Sequence, residues 1–217
     1  MLIASGIIFL IWYPNPYFAL FNVMTIFILM LGIDLILGPL LTFMVYKKGK
    51  KTIKMDLAVI VIIQLLAFGW GMWSIANARP AWIAIYKDTA YTISPAFITN
   101  PKNELKVTPP SIFEQNWLKP KLVFLPTDDK TENLVYQISK YLPYNPQQAL
   151  KQKLSLTQVE SFDKAFYQTI KTNYPTATGY FPVVTEASMD LPLILIDAQG
   201  QHVGTVVAIN KITATKK

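Results

Sequence analysis

The sequence predicts a membrane-anchored α+β protein: two to three N-terminal transmembrane helices followed by a small outer α+β domain with a mainly antiparallel sheet. Three observations carry this. Only 15% of the 217 residues are charged while 52% are hydrophobic, against about 25% charged in ordinary soluble domains. The acids are unevenly placed: residues 1–80 hold Asp34 and Asp56, and residues 81–217 hold the other eleven. The second part also carries strand–turn–strand patterns that the first part lacks. The chain therefore divides into a transmembrane region, 1–80, and a domain, 81–217, long enough to bury a modest core.

Within the first region, three apolar runs stand out: Met1–Tyr13, Tyr17–Tyr46 and Leu57–Ala78. A helical span takes about 20 apolar residues. The second and third runs reach that length, giving spans at about 17–46 and 57–78. The first, at about 1–13, is incomplete and lacks the basic start of a signal peptide. Either it is partly inserted, or the start is placed too far downstream and a basic leader precedes it; the second explanation is favoured.

Orientation follows from two signals. Short cytoplasmic loops collect lysine and arginine, and Lys47, Lys48, Lys50, Lys51 and Lys54 lie between the second and third runs. Tryptophan and tyrosine collect at membrane interfaces. Trp12, Tyr13 and Tyr17 mark one end of the first hairpin, and Trp70, Trp73 and Trp82 mark the end of the third run on the same side. Both signals put the Tyr13-Pro14-Asn15-Pro16 turn and everything after Arg79 outside, which in a Gram-negative cell is the periplasm.

Polar residues inside the spans are the candidate contacts. At about 1.5 Å per residue, Asp34 lies roughly 20 Å from Lys47, inside the hydrocarbon. An acid there costs about 2.5–3.5 kcal/mol on insertion scales and must face protein or be protonated. Gln64, roughly 15 Å along the next helix, is its nearest expected partner. Asp34 thus either meets the helix of a client protein or is satisfied inside the bundle by Gln64 or Thr42. Gly38-Pro39 permits a kink, and Ala67 with Gly71 allows close helix approach. Asp56 reads as an interfacial charge beside the lysines. Arg79-Pro80 ends the third helix, and Arg79 either snorkels to lipid phosphates or has a specific contact.

In the outer domain, Trp82–Tyr86, a turn at Lys87–Ala90 and Tyr91–Ile93 predict a hairpin, and Lys121–Leu125 a third strand. Asp128, Asp129 and Glu132 start a helix that carries Leu134, Val135, Ile138, Tyr141 and Leu142 at helical spacing. Thr157-x-x-Glu160 predicts a capping box, followed by a core stripe of Val159, Phe162, Phe166 and Ile170. Leu193–Ile196, the turn Asp197–Gly200 and His202–Ile209 predict a closing hairpin, its glycine supplying positive φ.

The net charge of +7 comes from one arginine, lysines scattered through the second part and one dense lysine group at 47–54 between two apolar runs, without the basic stripe that a nucleic-acid surface needs. The absence of cysteine excludes disulfides, thiol redox chemistry and thiolate metal sites. The single histidine, His202, flanks a turn and argues against a histidine metal centre or triad. Asp128 and Asp129 read as helix caps. No hydrolase elbow, phosphate loop or zinc-protease motif occurs, so no enzyme, cofactor or metal is expected.

Trp12-Tyr13-Pro14, then Gly32-Ile33-Asp34-Leu35-Ile36-Leu37-Gly38-Pro39-Leu40-Leu41-Thr42, then Lys50-Lys51 and Met55–Ile60, then Gln64-Leu65 and Ala78-Arg79-Pro80 together resemble the TfpX/TfpZ family of type IV pilin accessory proteins. That family includes fimbrial assembly proteins of the FimB/TfpB kind. The likeness runs in order through the membrane region and more faintly to the terminal hairpin. It implies a multi-pass protein of the bacterial inner membrane, with its C-terminal domain in the periplasm, that assists pilin stability, pilus assembly or pilus dynamics. Members usually begin with a longer, basic leader. The expected partners are a type IV pilin and the bilayer, and the candidate pilin contacts are Asp34, Gly38, Pro39, Gln64 and Arg79. A membrane-anchored sensor or transporter-associated ligand-binding subunit is the alternative, and an envelope enzyme the third.

Overall fold

The computed structural model describes residues 2–21, 23–45, 53–99, 117–127, 140–185 and 191–208. The first apolar run is helical but short. Helix α1 (Leu2–Gly6) widens into a π-helical stretch over Ile7–Trp12. Pro14 and Pro16 cannot donate backbone hydrogen bonds, and the chain turns there, with the Tyr17 N–H reaching the Pro14 carbonyl (2.8 Å).

The run expected as one span from Tyr17 divides. Residues Tyr17–Leu20 form the short helix α2, and the long helix α3 starts at Val23 and ends at Val45. Helix α4 covers Ile53–Ala78. At 1.5 Å per residue these long helices measure about 35 and 39 Å. Both are long and apolar enough to cross a membrane. Leu35, Ile36, Phe43, Leu65, Leu66 and Trp70 all point outward from them. Most of the lysine-rich loop, residues 46–52, lies outside the described residues.

Three residues separate the end of α4 from the first strand. Strands β1 (Trp82–Tyr86) and β2 (Thr89–Ile93) form the predicted hairpin, Trp82 opposite Ile93. Lys87 takes φ 55° at the turn. Helix α5 (Pro95–Thr99) follows, and β3 (Lys121–Phe124) lies parallel to β1. The predicted helix from Asp128 falls on residues 128–139, outside the described residues. Its tail is not helical: Leu142–Pro143 forms β4, antiparallel to β3. A leucine at helical spacing satisfies a strand equally well when a neighbouring strand edge is open to it.

Helix α6 (Pro146–Gln152) has Pro in its first turn and is capped by Asn145, whose side chain accepts from the Gln147 N–H (2.9 Å). Then come β5 (Leu154–Ser155), α7 (Thr157–Phe162) and α8 (Lys164–Asn173). The predicted capping box does not form. Thr157 is already inside α7, and the Ser155 hydroxyl accepts from its N–H (3.4 Å). The effective cap is Asp163, whose carboxylate accepts from the Phe166 N–H (2.9 Å). That break turns Phe162 out of the expected core stripe, and it is 87% exposed while Val159 and Ile170 are buried.

Strands β6 (Gly179–Val184), β7 (Leu191–Ile196) and β8 (His202–Ala208) complete the sheet. The order is β4-β3-β1-β2-β6-β7-β8, with β5 on β6. Antiparallel pairings predominate as expected, while β1–β3 and β2–β6 are parallel. Strand β6 was not predicted. It links the two halves through Ala90–Val183 and Tyr91–Val184.

Side chains alternate across a strand, and both faces of β1 are used. Ile83 and Ile85 point into one core with Phe124, Phe181, Ile194 and Ile196. Trp82 and Ala84 point into another with Ile93, Ile98 and Val123. Trp82 is therefore a buried sheet residue and not part of an aromatic belt. Tyr17 and Leu20 of α2 lie in the first core too, and the Tyr17 hydroxyl shares a hydrogen bond with Thr205 on β8. The sheet's interior thus reaches back across residue 80 to the turn that follows the first apolar run.

Candidate functional site: the helix pair and its joint with the sheet

Helices α3 and α4 pack antiparallel. Near the sheet, Phe27 and Ile75 share one apolar cluster. Further along, Met30 lies over Gly71, where a methyl group would stand 2.6 Å from its sulfur. Further still, the Gln64 amide nitrogen lies 2.8 Å from where a methyl on Gly38 would be. Glycine at 38 and 71 is what lets these long side chains cross the interface. Of the small pair noted in the sequence, Gly71 serves close approach, while Ala67 is exposed.

Residues 27, 30, 34 and 38 follow one helical stripe, so the backbone of Asp34 stands on the side of α3 that meets α4. Its side chain is outside what the structure describes. Gln64 reaches α3 one turn beyond Asp34, nearer the lysine end. Pro39 lies inside α3, where it removes one backbone donor. Beside it the Thr42 hydroxyl donates to the Gly38 carbonyl (2.8 Å). The Gln64 amide against Gly38 thus brings a polar side chain into an otherwise apolar helix interface, one turn from Asp34. Asp56 sits in the first turn of α4, where the helix dipole favours an acid.

The fifth candidate belongs to a different place. Arg79 is 0% exposed, which does not suit a side chain reaching to lipid phosphates. It donates to the Ala76 carbonyl. Its guanidinium carbon lies 4.2 Å from the Trp117 ring centre and 5.9 Å from that of Trp12. Desolvated cation–π contacts of this kind are worth about 2 kcal/mol or more. The Trp12 indole N–H donates to the Trp117 carbonyl (3.1 Å), and the Tyr13 hydroxyl donates to the Ile75 carbonyl (3.0 Å). Burial lowers the Arg79 pKa to about 10, with Tyr13 opposing, so the group remains a cation at neutral pH.

Sequence reasoning missed this joint. Trp12 and Tyr13 were noticeable as aromatics at an expected interface, but nothing marked Trp117, 105 residues from Trp12, as their partner. His202 is exposed and faces Thr205 (3.3 Å).

The layout is that of two long apolar helices joined at one end to a sheet-rich domain. Three fimbrial assembly proteins of Dichelobacter nodosus are similar to this chain: those of serogroup I, of serogroup E1, and of serogroups C1 and C2. Each is 39% identical to it over 92 residues, 42% of this chain. The match spans 36% of the serogroup I and E1 proteins and 70% of the C1 and C2 protein. The chain belongs to the family of type IV fimbrial assembly proteins. No family model matches it, and no solved structure matches it.

Proposed function

We propose that this protein is a non-enzymatic accessory factor of type IV pilus biogenesis, held in the bacterial inner membrane, that assists pilin stability, pilus assembly or pilus dynamics through contact with pilin. The observation that carries the reading is the 39% identity over 92 residues to fimbrial assembly proteins. The outward-facing apolar side chains of α3 and α4 support a bilayer around them, since exposed apolar surface of that extent is costly in water. Lysines 47, 48, 50, 51 and 54 stay in the cytoplasm, and the sheet domain stands in the periplasm. In this reading the two long helices meet the apolar helix of pilin within the membrane, and the sheet domain meets its head.

Asp34, with Gly38, Pro39 and Gln64 beside it, is the proposed intramembrane contact, because an acid there needs a partner. The test is to delete the gene and measure sheared pili and total pilin together, then complement with Asp34→Ala and Asp34→Asn. Loss of pili with pilin retained assigns the protein to assembly, and loss of both assigns it to pilin stabilisation. Unchanged pili and pilin after deletion overturn the proposal. Full complementation by both variants at normal protein levels removes Asp34 from the mechanism.

A further inference from the structure

The joint between helices and sheet contains almost no chain. Helix α4 ends at Ala78, and sheet hydrogen bonding already includes Ala81, whose N–H reaches the Ile93 carbonyl (3.0 Å) and whose carbonyl accepts from the Lys121 N–H (3.1 Å). Only Arg79 and Pro80 lie between. Proline fixes its own φ and restricts the residue before it, so this is the opposite of a polar, flexible linker. Domains joined by such linkers move relative to one another by default.

Arg79 does more than end a helix. Its buried guanidinium holds Trp12, at the close of the first apolar helix, and Trp117, in the segment leading to β3. The Trp12–Trp117 hydrogen bond closes the ring of contacts. Three stretches far apart in sequence therefore meet at one cation. A second attachment lies beside it, where Tyr17 and Leu20 enter the sheet's core.

We infer that Arg79, Trp12 and Trp117 form a clasp that fixes the sheet domain in one orientation relative to the long helices, so that the two move as one body. A partner that touches both surfaces then meets them in a fixed register, and displacement of the helices is passed to the sheet without slack. This stands apart from the pilus assignment and can succeed or fail without it.

The cysteine-free chain lends itself to the test. Leu66→Cys on the exposed face of α4 and Glu160→Cys on α7 carry spin labels in the full-length protein in lipid nanodiscs, and the distance distribution between them is measured. The unaltered joint is expected to give one narrow peak. Arg79→Ala and Trp117→Leu are expected to broaden it about twofold, toward the mobility usual for linked domains, while circular dichroism stays that of the folded chain. Arg79→Lys, which keeps the cation but loses the flat guanidinium, is expected to fall between. A broad peak in the unaltered joint overturns the inference. So does a narrow peak in folded Trp117→Leu, whatever Arg79→Ala does.

Discussion

Gly200 shows how a single residue holds the closing hairpin. Its φ of +78° lies in the left-handed region, where other L-residues are strained. The Asp197 carboxylate accepts from the N–H groups of Gln199 (2.9 Å) and Gln201 (2.8 Å), which sets the turn. The Gly200 carbonyl accepts from the Tyr144 hydroxyl (2.7 Å), and a methyl group at 200 would run into the Pro146 carbonyl. Backbone and packing thus demand glycine together. Gly200→Ala is expected to destabilise the domain by about 1–3 kcal/mol, read as a lower denaturant midpoint by tryptophan fluorescence. An unchanged midpoint would show that the turn relaxes at no cost. The turn was legible in the sequence because Asp-x-x-Gly between two apolar runs has a local meaning. The clasp at Arg79 was not, because an arginine before a proline looks the same whether it meets lipid or tryptophan.

Among the elements, α7 and α8 illustrate competition between caps. Thr157 and Glu160 have the spacing of a capping box, yet Asp163 is the residue whose side chain accepts a helix N–H. One long amphipathic helix becomes two short ones, Val159 and Ile170 remain inside, and Phe162 turns out. Asp163→Ala is expected to lower stability by about 1 kcal/mol, with Asp163→Asn close to the parent, since asparagine caps as well as aspartate. Thermal unfolding of the three proteins checks this, and equal transitions for all would remove the cap. Strand β6 went unseen for a related reason. Gly179 and Pro182 interrupt the local strand pattern, and the element is held by β5, β7 and β2, whose pairing no local window contains. The hairpins β1–β2 and β7–β8 pair with sequence neighbours, and both were readable.

For the molecule as a whole, the decisive arrangement is that the Trp12–Leu20 turn and the sheet lie at the same end of the helix pair. Tyr13 bonds to Ile75 near the end of α4, and Tyr17 and Leu20 enter the sheet's core. In the proposed orientation the opposite, lysine-rich end lies in the cytoplasm. Alkaline phosphatase fused near residue 90 is accordingly expected to be active in cells and inactive when fused near residue 50. The reverse pattern would invert the orientation and dismiss the pilin contacts proposed for the sheet domain.

Hydropathy, charge and turn residues act locally or over a single helix. The sequence by itself therefore determined that two long apolar helices precede a mainly antiparallel domain, where the chief hairpins turn, and which family's motifs the helices carry. Which residues of α3 and α4 oppose each other was beyond it, since that depends on where glycine lets a side chain through. So was the merging of Tyr17 and Leu20 with the sheet, and the burial of a cation between Trp12 and Trp117. Those contacts join residues as far apart in the chain as Tyr17 and Thr205, and only the folded chain brings them within reach.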